Sequence, residues 1–191
     1  MKKRRVVIIG CGTAALSALT QMRKTNCDDE VTLISMEPRL PYSPATLPYV
    51  ISGRVEETKI ALVDDDFFDR MKARWITGKR VERIDTAKNE VIYDSGGSES
   101  YDALLIATGS EPVLPPVPGI NDVPLFQLRT LDDARALMAK MKGSRTAVVL
   151  GGGLIGIHIA ECLAEKGIKV TVMEMAPCIL PAYCDPERLQ L

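Results

Sequence analysis

Two glycine-rich turns carry the residue types that can hold a phosphate group. The first is Gly10-Cys-Gly-Thr-Ala-Ala15 and the second is Gly151-Gly-Gly-Leu-Ile-Gly156. Each follows a short apolar, β-branched run (Val6-Val-Ile-Ile9, then Val148-Val-Leu150) that reads as a strand buried on both faces. Each then enters a helix-compatible segment. Ala14, Ala15, Leu16, Ala18, Leu19 and Met22 are expected to supply the buried face of the first segment, and Ile155, Ile159, Leu163 and Ala164 that of the second. A second buried strand follows in both copies, Val31-Thr-Leu-Ile-Ser35 and Val170-Thr-Val-Met173, and each is followed by an acid, Glu37 or Glu174. The first glycine lies 27 residues before its acid in one copy and 23 in the other. This is the βαβ dinucleotide-binding fingerprint, present twice.

The chemistry explains the residue types. Gly10 and Gly151 permit a tight turn out of the strand. Gly12 and Gly153 lack a Cβ, so a pyrophosphate can approach the backbone, while Ala15 and Gly156 let the helix pack closely on the strand. The helix N-terminus offers unpaired N–H groups and about half a positive charge to an anion. Each glutamate can accept a hydrogen bond from an adenosine ribose hydroxyl.

Composition narrows the remaining possibilities. In 191 residues, 24 Lys+Arg stand against 25 Asp+Glu, which gives no electrostatic reason to expect nucleic acid or an anionic membrane as partner. With 46% apolar residues the chain can build a core, which excludes low-complexity disorder. His158 is the one histidine, so a multi-histidine metal site is impossible, and no metal site is expected. The five cysteines, Cys11, Cys27, Cys162, Cys178 and Cys184, contain no CxxC pair and are read as reduced thiols in a cytoplasmic protein. The basic start Lys2-Lys3-Arg4-Arg5 before an apolar run resembles a signal peptide only superficially, because Gly10 and Gly12 interrupt it and a near-copy recurs in mid-chain. Neither run reaches the roughly 18 apolar residues of a membrane span. The basic start is read as a solvated terminus.

Between the repeats, Pro38 to Tyr49 holds four prolines and is expected to be an extended excursion, neither helix nor central strand. A short amphipathic helix is expected over 64–72. Strands are expected at Arg74-Trp-Ile-Thr77, Arg80-Val-Glu-Arg-Ile84 and Val91-Ile-Tyr93, and a buried strand at Ala103 leads to a small-residue turn ending at Ser110. Pro112 to Pro118 marks a linker. Thr130, followed by Asp132 and Asp133, offers a helix N-cap, with a helix running to about Lys142. Residues after Cys184 read as the start of a further helix.

The order of these motifs carries a resemblance. An N-terminal GxGxxA turn, a proline-rich loop containing Leu47-Pro48-Tyr49, a strand closing in Leu105-Ile-Ala-Thr-Gly109, a proline linker and then Gly151-Gly-Gly-Leu-Ile-Gly156 together resemble the pyridine nucleotide-disulfide oxidoreductase superfamily. The similarity is greatest to the NADH oxidase and coenzyme A-disulfide reductase branch and to the rubredoxin, ferredoxin and nitrite reductase branch. It implies an α/β fold of two Rossmann-like dinucleotide-binding domains, both incomplete in this chain. The FAD-binding part would cover 1–111, the linker 112–118 and the NAD-binding part 119–191.

Roles follow from the resemblance position by position. Gly10, Gly12, Thr13, Ala14 and Ala15 would hold the FAD pyrophosphate, Glu37 the adenosine ribose, Val81 the adenine through its backbone, and Thr108 and Gly109 the flavin nucleotide. Gly151, Gly153, Leu154, Ile155 and Gly156 would take the NAD pyrophosphate and Glu174 the 2′-hydroxyl. Met175 and Ala176 supply no cation for a 2′-phosphate, which favours NADH over NADPH.

Several positions depart from the family pattern. Ala45 stands where the coenzyme A-disulfide reductase branch has its redox cysteine. Pro44 and Tyr49 stand where the rubredoxin reductase branch has an Arg and a Lys, and His158 where a Glu usually faces the nicotinamide pocket. Residues of the family's length would continue well past Leu191, so a fragment, a shortened form or one chain of a larger assembly is expected, with apolar sheet faces left uncovered.

The resulting expectation is an FAD-dependent NADH oxidoreductase without a catalytic side chain of its own. It would pass electrons to a non-disulfide acceptor, such as an iron-sulfur or rubredoxin-type partner, a quinone or oxygen, and the full-length form would be an oligomer. The alternative is a module or assembly subunit that binds FAD or NAD without turning it over.

Overall fold

The computed structural model describes residues 3–25, 27–181 and 183. Lys2, Cys184 and the helix expected after it lie outside these. In chain order the elements are β1 (Arg5–Ile9), α1 (Thr13–Lys24), β2 (Glu30–Ile34), α2 (Leu47–Ser52), α3 (Phe67–Arg70), β3 (Ala73–Ile76), β4 (Val81–Asp85), β5 (Glu90–Tyr93), β6 (Ser98–Ser100), β7 (Ala103–Ile106), α4 (Leu131–Met141), β8 (Thr146–Leu150), α5 (Leu154–Glu165) and β9 (Lys169–Met173). They form two compact units, one of residues 1–43 and 61–111, the other of 44–60 and 112–191.

The first unit is built on a four-stranded parallel sheet in the order β3-β2-β1-β7. The two central strands, β1 and β2, are buried on both faces, as their continuous apolar runs predict. Val6 and Ile8 of β1 face α1, packing with Ala15, Leu16, Leu19 and the Phe67–Phe68 pair. The alternate residues Val7 and Ile9 face the other way, against Val91, Tyr93 and Tyr101. That second layer includes the antiparallel sheet β4-β5-β6. Arg4 and Arg5, read as a solvated start, are exposed but paired: Arg4 with Asp29 at 2.8 Å and Arg5 with Asp102 at 3.0 Å. They bind the start of β1 to the chain beside β2 and β7.

The second unit repeats the motif with β8 and β9 in parallel and α5 between them. Ile159, Cys162 and Leu163 form the buried face of α5. The expected Thr130 cap is present as a capping box: the Asp133 N–H donates to Thr130 Oγ1 at 3.2 Å, and the Thr130 N–H donates to Asp133 Oδ2 at 2.7 Å.

Several expectations are corrected here. The strand at Ala103, expected to be buried, is half-buried at Ala103 and Leu104 and exposed at Leu105 and Ile106, because β7 is the edge strand of its sheet. Ala14, Ile155 and Ala164, expected on the buried faces of their helices, are exposed, because their sides of α1 and α5 face away from the strands. The strand Val148-Val-Leu150 is not buried on both faces: Val148 is 60% and Leu150 44% exposed, and Met173 on β9 is 57% exposed. One face of β8–β9 meets α5, and no described residue covers the other. The proline-rich stretch is not wholly extended either, because its end starts α2. Pro48 falls in the first turn of that helix, where a backbone N–H has no intrahelical partner and a proline costs nothing.

The core of the first unit sets a test. Ile8→Ala should destabilise it by about 2–5 kcal/mol, because a fully buried side chain leaves a cavity. Ile106→Ala, on the exposed end of β7, should cost no more than about 1 kcal/mol. Denaturant titration followed by Trp75 fluorescence measures both.

Candidate functional site

In the parallel sheet the chain runs β1, β2, β3 in one direction and then returns to place β7 on the opposite side of β1. The strand order therefore reverses between β1 and β7. Ligands of open α/β sheets bind in the crevice at such a point, beyond the carboxyl ends of the strands. The first glycine turn stands there. Gly10 has φ +106°, and its N–H donates to Ile34 O at 2.8 Å. A Cβ on Gly10 would lie 2.2 Å from Ala107 O, so no side chain fits. Gly12 caps α1 with extended backbone, and a Cβ there would meet nothing within 4 Å. Thr13 and Ala14 open the helix and are exposed, while Ala15 is fully buried beneath it. Thr108 and Gly109 are exposed just beyond the end of β7, where the Ala107 N–H donates to Ile9 O at 2.8 Å.

Glu37 follows β2 on the same sheet edge. Its Oε2 accepts a hydrogen bond from the Tyr42 hydroxyl at 2.7 Å, and the Arg39 guanidinium stands 3.8 Å from the same oxygen. Val81 begins β4 shortly after Lys79, whose N–H donates to Ser35 O at 3.0 Å. The structure thus brings Gly10–Ala15, Glu37, Thr108 and Gly109 to one end of one sheet, with the chain leading to Val81 bonded beside β2. Tyr42 was not singled out by the sequence pattern; its only signal was a position within the proline-rich stretch.

The second turn reproduces the first. Gly151 has φ +101°, and its N–H donates to Met173 O at 2.8 Å, as Gly10 does to Ile34. Gly12 and Gly153 cap their helices with nearly equal dihedrals, φ −81°, ψ −170° and φ −75°, ψ −178°. Leu154 and Ile155 open α5 and are exposed. A Cβ on Gly156 would lie 2.0 Å from Gly151 O, so this position must stay bare. Glu174 is gripped by main-chain donors: the Gly152 N–H reaches Oε2 at 2.6 Å and the Ala176 N–H reaches Oε1 at 2.9 Å. These bonds favour the ionised form and hold its pKa below the usual carboxylate value.

The positions that depart from the family pattern lie together in the second unit. Ala45 and Tyr49 are exposed. Tyr49 stands edge-on to His158, with ring centroids 4.8 Å apart, and Cys162 Sγ lies 3.3 Å from Pro48 O. Arg54 pairs with Glu161 and Glu165, and Arg135 with Glu57. Among the described residues no cysteine replaces Ala45. Cys11 points into the core, where burial pushes its thiol up to about 12, and burial raises Cys162 as well. Among the described residues no cluster of His, Cys, Asp and Glu could hold a metal ion, and no helix is long and apolar enough to cross a membrane.

A switch-point parallel sheet and two strand–glycine turn–helix units with closely similar turn dihedrals define an α/β protein of the Rossmann-like dinucleotide-binding class. Residues 4–189 match the family described as pyridine nucleotide-disulphide oxidoreductase, and the chain belongs to it. It is 40% identical over 181 residues to the epsilon subunit of the NADH-dependent phenylglyoxylate dehydrogenase of Aromatoleum evansii, covering 95% of this chain and 43% of that one. To an NADH oxidase of Methanocaldococcus jannaschii it is 34% identical over 195 residues, covering 98% and 44%. Its structure matches the reduced CoADR-RHD of Bacillus anthracis with a TM-score of 0.90 at 28% identity, over 99% of this chain and 36% of that one. The chain spans less than half the length of each of these relatives.

Two outcomes are expected. Gly156→Ala should destabilise the second unit by about 1–3 kcal/mol, measured by thermal unfolding, because the added methyl has no space; Gly12→Ala should leave folding nearly unchanged. Since the folded-state pKa of Glu174 is lowered, its contribution is fully present above the ordinary carboxylate pKa of 4.5 and is lost as pH falls through the lower folded value. NMR titration should show the Gly152 and Ala176 amide shifts moving together in that acid range, and Glu174→Gln should remove the transition.

Proposed function

We propose that the whole protein is an FAD-dependent NADH oxidoreductase, with FAD on the first turn and NADH on the second. Gly10, Gly12, Thr13, Ala14 and Ala15 hold the FAD pyrophosphate, Thr108 and Gly109 approach the flavin nucleotide, Glu37 takes the adenosine ribose and the Val81 backbone the adenine. Gly151, Gly153, Leu154, Ile155 and Gly156 hold the NADH pyrophosphate, and Glu174 the ribose 2′-hydroxyl. The observation that carries this reading is the matched geometry of the two turns: Gly10 and Gly151 both have φ near +100° with the N–H bonded to the end of the following strand, and both capping glycines, Gly12 and Gly153, face open space.

Bound at these two sites, FAD and NADH supply hydride transfer between nicotinamide and flavin. The chain's own residues bind and orient. The bare N-termini of α1 and α5 offer N–H groups and a favourable dipole to each pyrophosphate. The Glu174 carboxylate, held ionised by two main-chain N–H groups, accepts from a hydroxyl and repels a 2′-phosphate, which selects NADH. Ala45 offers no sulfur at the family's redox position, and burial raises the pKa of the Cys11 and Cys162 thiols, so we assign the electrons an acceptor other than a disulfide at that position. An iron-sulfur or rubredoxin-type partner, a quinone and oxygen all fit that chemistry. The similarity to a dehydrogenase subunit favours a partner protein. We place the protein in the cytoplasm, with its thiols reduced, and as an oligomer in its full-length form.

The test is the visible spectrum of the purified protein before and after anaerobic addition of NADH. A flavin spectrum that bleaches supports the oxidoreductase. Flavin that stays oxidised supports a binding module, and a colourless protein contradicts FAD at the first turn. Gly12→Val should abolish flavin retention, because its side chain fills the space left for the pyrophosphate; a variant that still purifies yellow contradicts the assignment.

A further inference from the structure

The two acids beyond the strands are held in different ways. Glu174 is gripped by two main-chain N–H groups, one from the glycine turn at Gly152 and one from Ala176 beside it. Glu37 takes a bond from a side chain, the Tyr42 hydroxyl, at 2.7 Å. Tyr42 is buried, and its backbone forms an antiparallel bridge with Ala61. Beside it, the Leu62 N–H donates to Pro41 O at 2.8 Å. These contacts close the neck at which residues 44–60 leave the first unit and return to it. The phenol is therefore held by backbone pairing and by burial of its ring.

A glutamate on a loop must give up side-chain rotamer freedom before it can accept from a ribose, and that loss weakens binding unless it has already been met. The Tyr42 bond meets it in the free protein. It occupies Oε2 and leaves Oε1 to accept from a ligand, on a carboxylate that is 28% exposed and so reachable. The Ser35 hydroxyl donates to the Glu37 carbonyl oxygen at 3.1 Å and fixes the backbone at the same point.

We infer that Tyr42 is a positioning residue for the adenosine ribose of FAD, acting through Glu37, and that closure of the 41–62 neck is coupled to FAD retention. This rests on the assignment of Glu37 to that ribose. The neck supplies the hydroxyl, so opening it releases the carboxylate; conversely, FAD bound to Glu37 stabilises the closed neck by linkage.

The test titrates flavin-free protein with FAD, and with FMN as a probe lacking adenosine, in the wild type, Tyr42→Phe, Glu37→Ala and the double variant. Tyr42→Phe keeps the ring and its packing. It should weaken FAD binding about tenfold, the scale of one hydrogen bond to a charged group, and leave FMN unchanged. In the Glu37→Ala background it should add no further loss. Wild-type FAD affinity in Tyr42→Phe, equal weakening of FAD and FMN, or a full additional loss in the double variant would each overturn the role of Tyr42. If Glu37→Ala itself leaves FAD affinity unchanged, the ribose assignment fails and the inference falls with it. If Glu37→Ala weakens FAD and Tyr42→Phe does not, only the inference fails. Hydrogen exchange on the wild type needs no variant: the Leu62 amide should exchange more slowly with FAD bound, and an unchanged rate overturns the coupling.

Discussion

The close approach of backbone to backbone at each glycine turn is the constraint on which the rest depends. A strand can hand over to a helix within a few residues here because the turn adopts a left-handed conformation and the packed positions carry at most a methyl group. Gly10 and Gly151 meet the first condition, with φ near +100° in both copies. The second is met differently in each. In the first turn the tight contact comes from the neighbouring strand end, Ala107 O against Gly10. In the second it comes from the helix itself, Gly156 against Gly151 O. Ala15, five residues after Gly10 as Gly156 is after Gly151, keeps its methyl fully buried. Two copies of one motif thus tolerate different residues at the same step.

From this constraint follow the direction of α1 and α5 and the bare N–H groups at their starts. The acids then complete each unit, and here the copies diverge again. Glu174 depends on nothing outside its own βαβ segment. Glu37 depends on the loop that follows it, which leaves for 44–60 and returns at Ala61. A local site and a site requiring a long chain excursion are joined in one protein.

Much of this was legible in sequence because its causes are local. The β-branched runs, the glycine spacings, the acids at strand ends and the Thr130–Asp133 capping box each act over a few residues, and each takes the form its residues predict. What was not legible depends on partners distant in the chain. Pro48 reads as a helix breaker until its place in the first turn of α2 is known. That residues 44–60 belong with the second unit is decided by contacts such as Tyr49 with His158 and Arg54 with Glu165, between positions about a hundred residues apart. The apolar run of β8 predicts burial on both faces, yet burial also needs a covering layer, which no described residue supplies for Val148 and Leu150. The Tyr42–Glu37 bond spans only five residues but follows no periodic pattern, so it too left no signal in the sequence.

The central claim is that the two turns are separate dinucleotide sites. Backbone amide NMR with each nucleotide added in turn tests it most directly. The account predicts that FAD shifts the Gly12 and Thr13 amides and that NADH shifts those of Gly153 and Leu154, with both sets shifted when both are present. Displacement of one nucleotide by the other at a single turn, or no response at either, would contradict it.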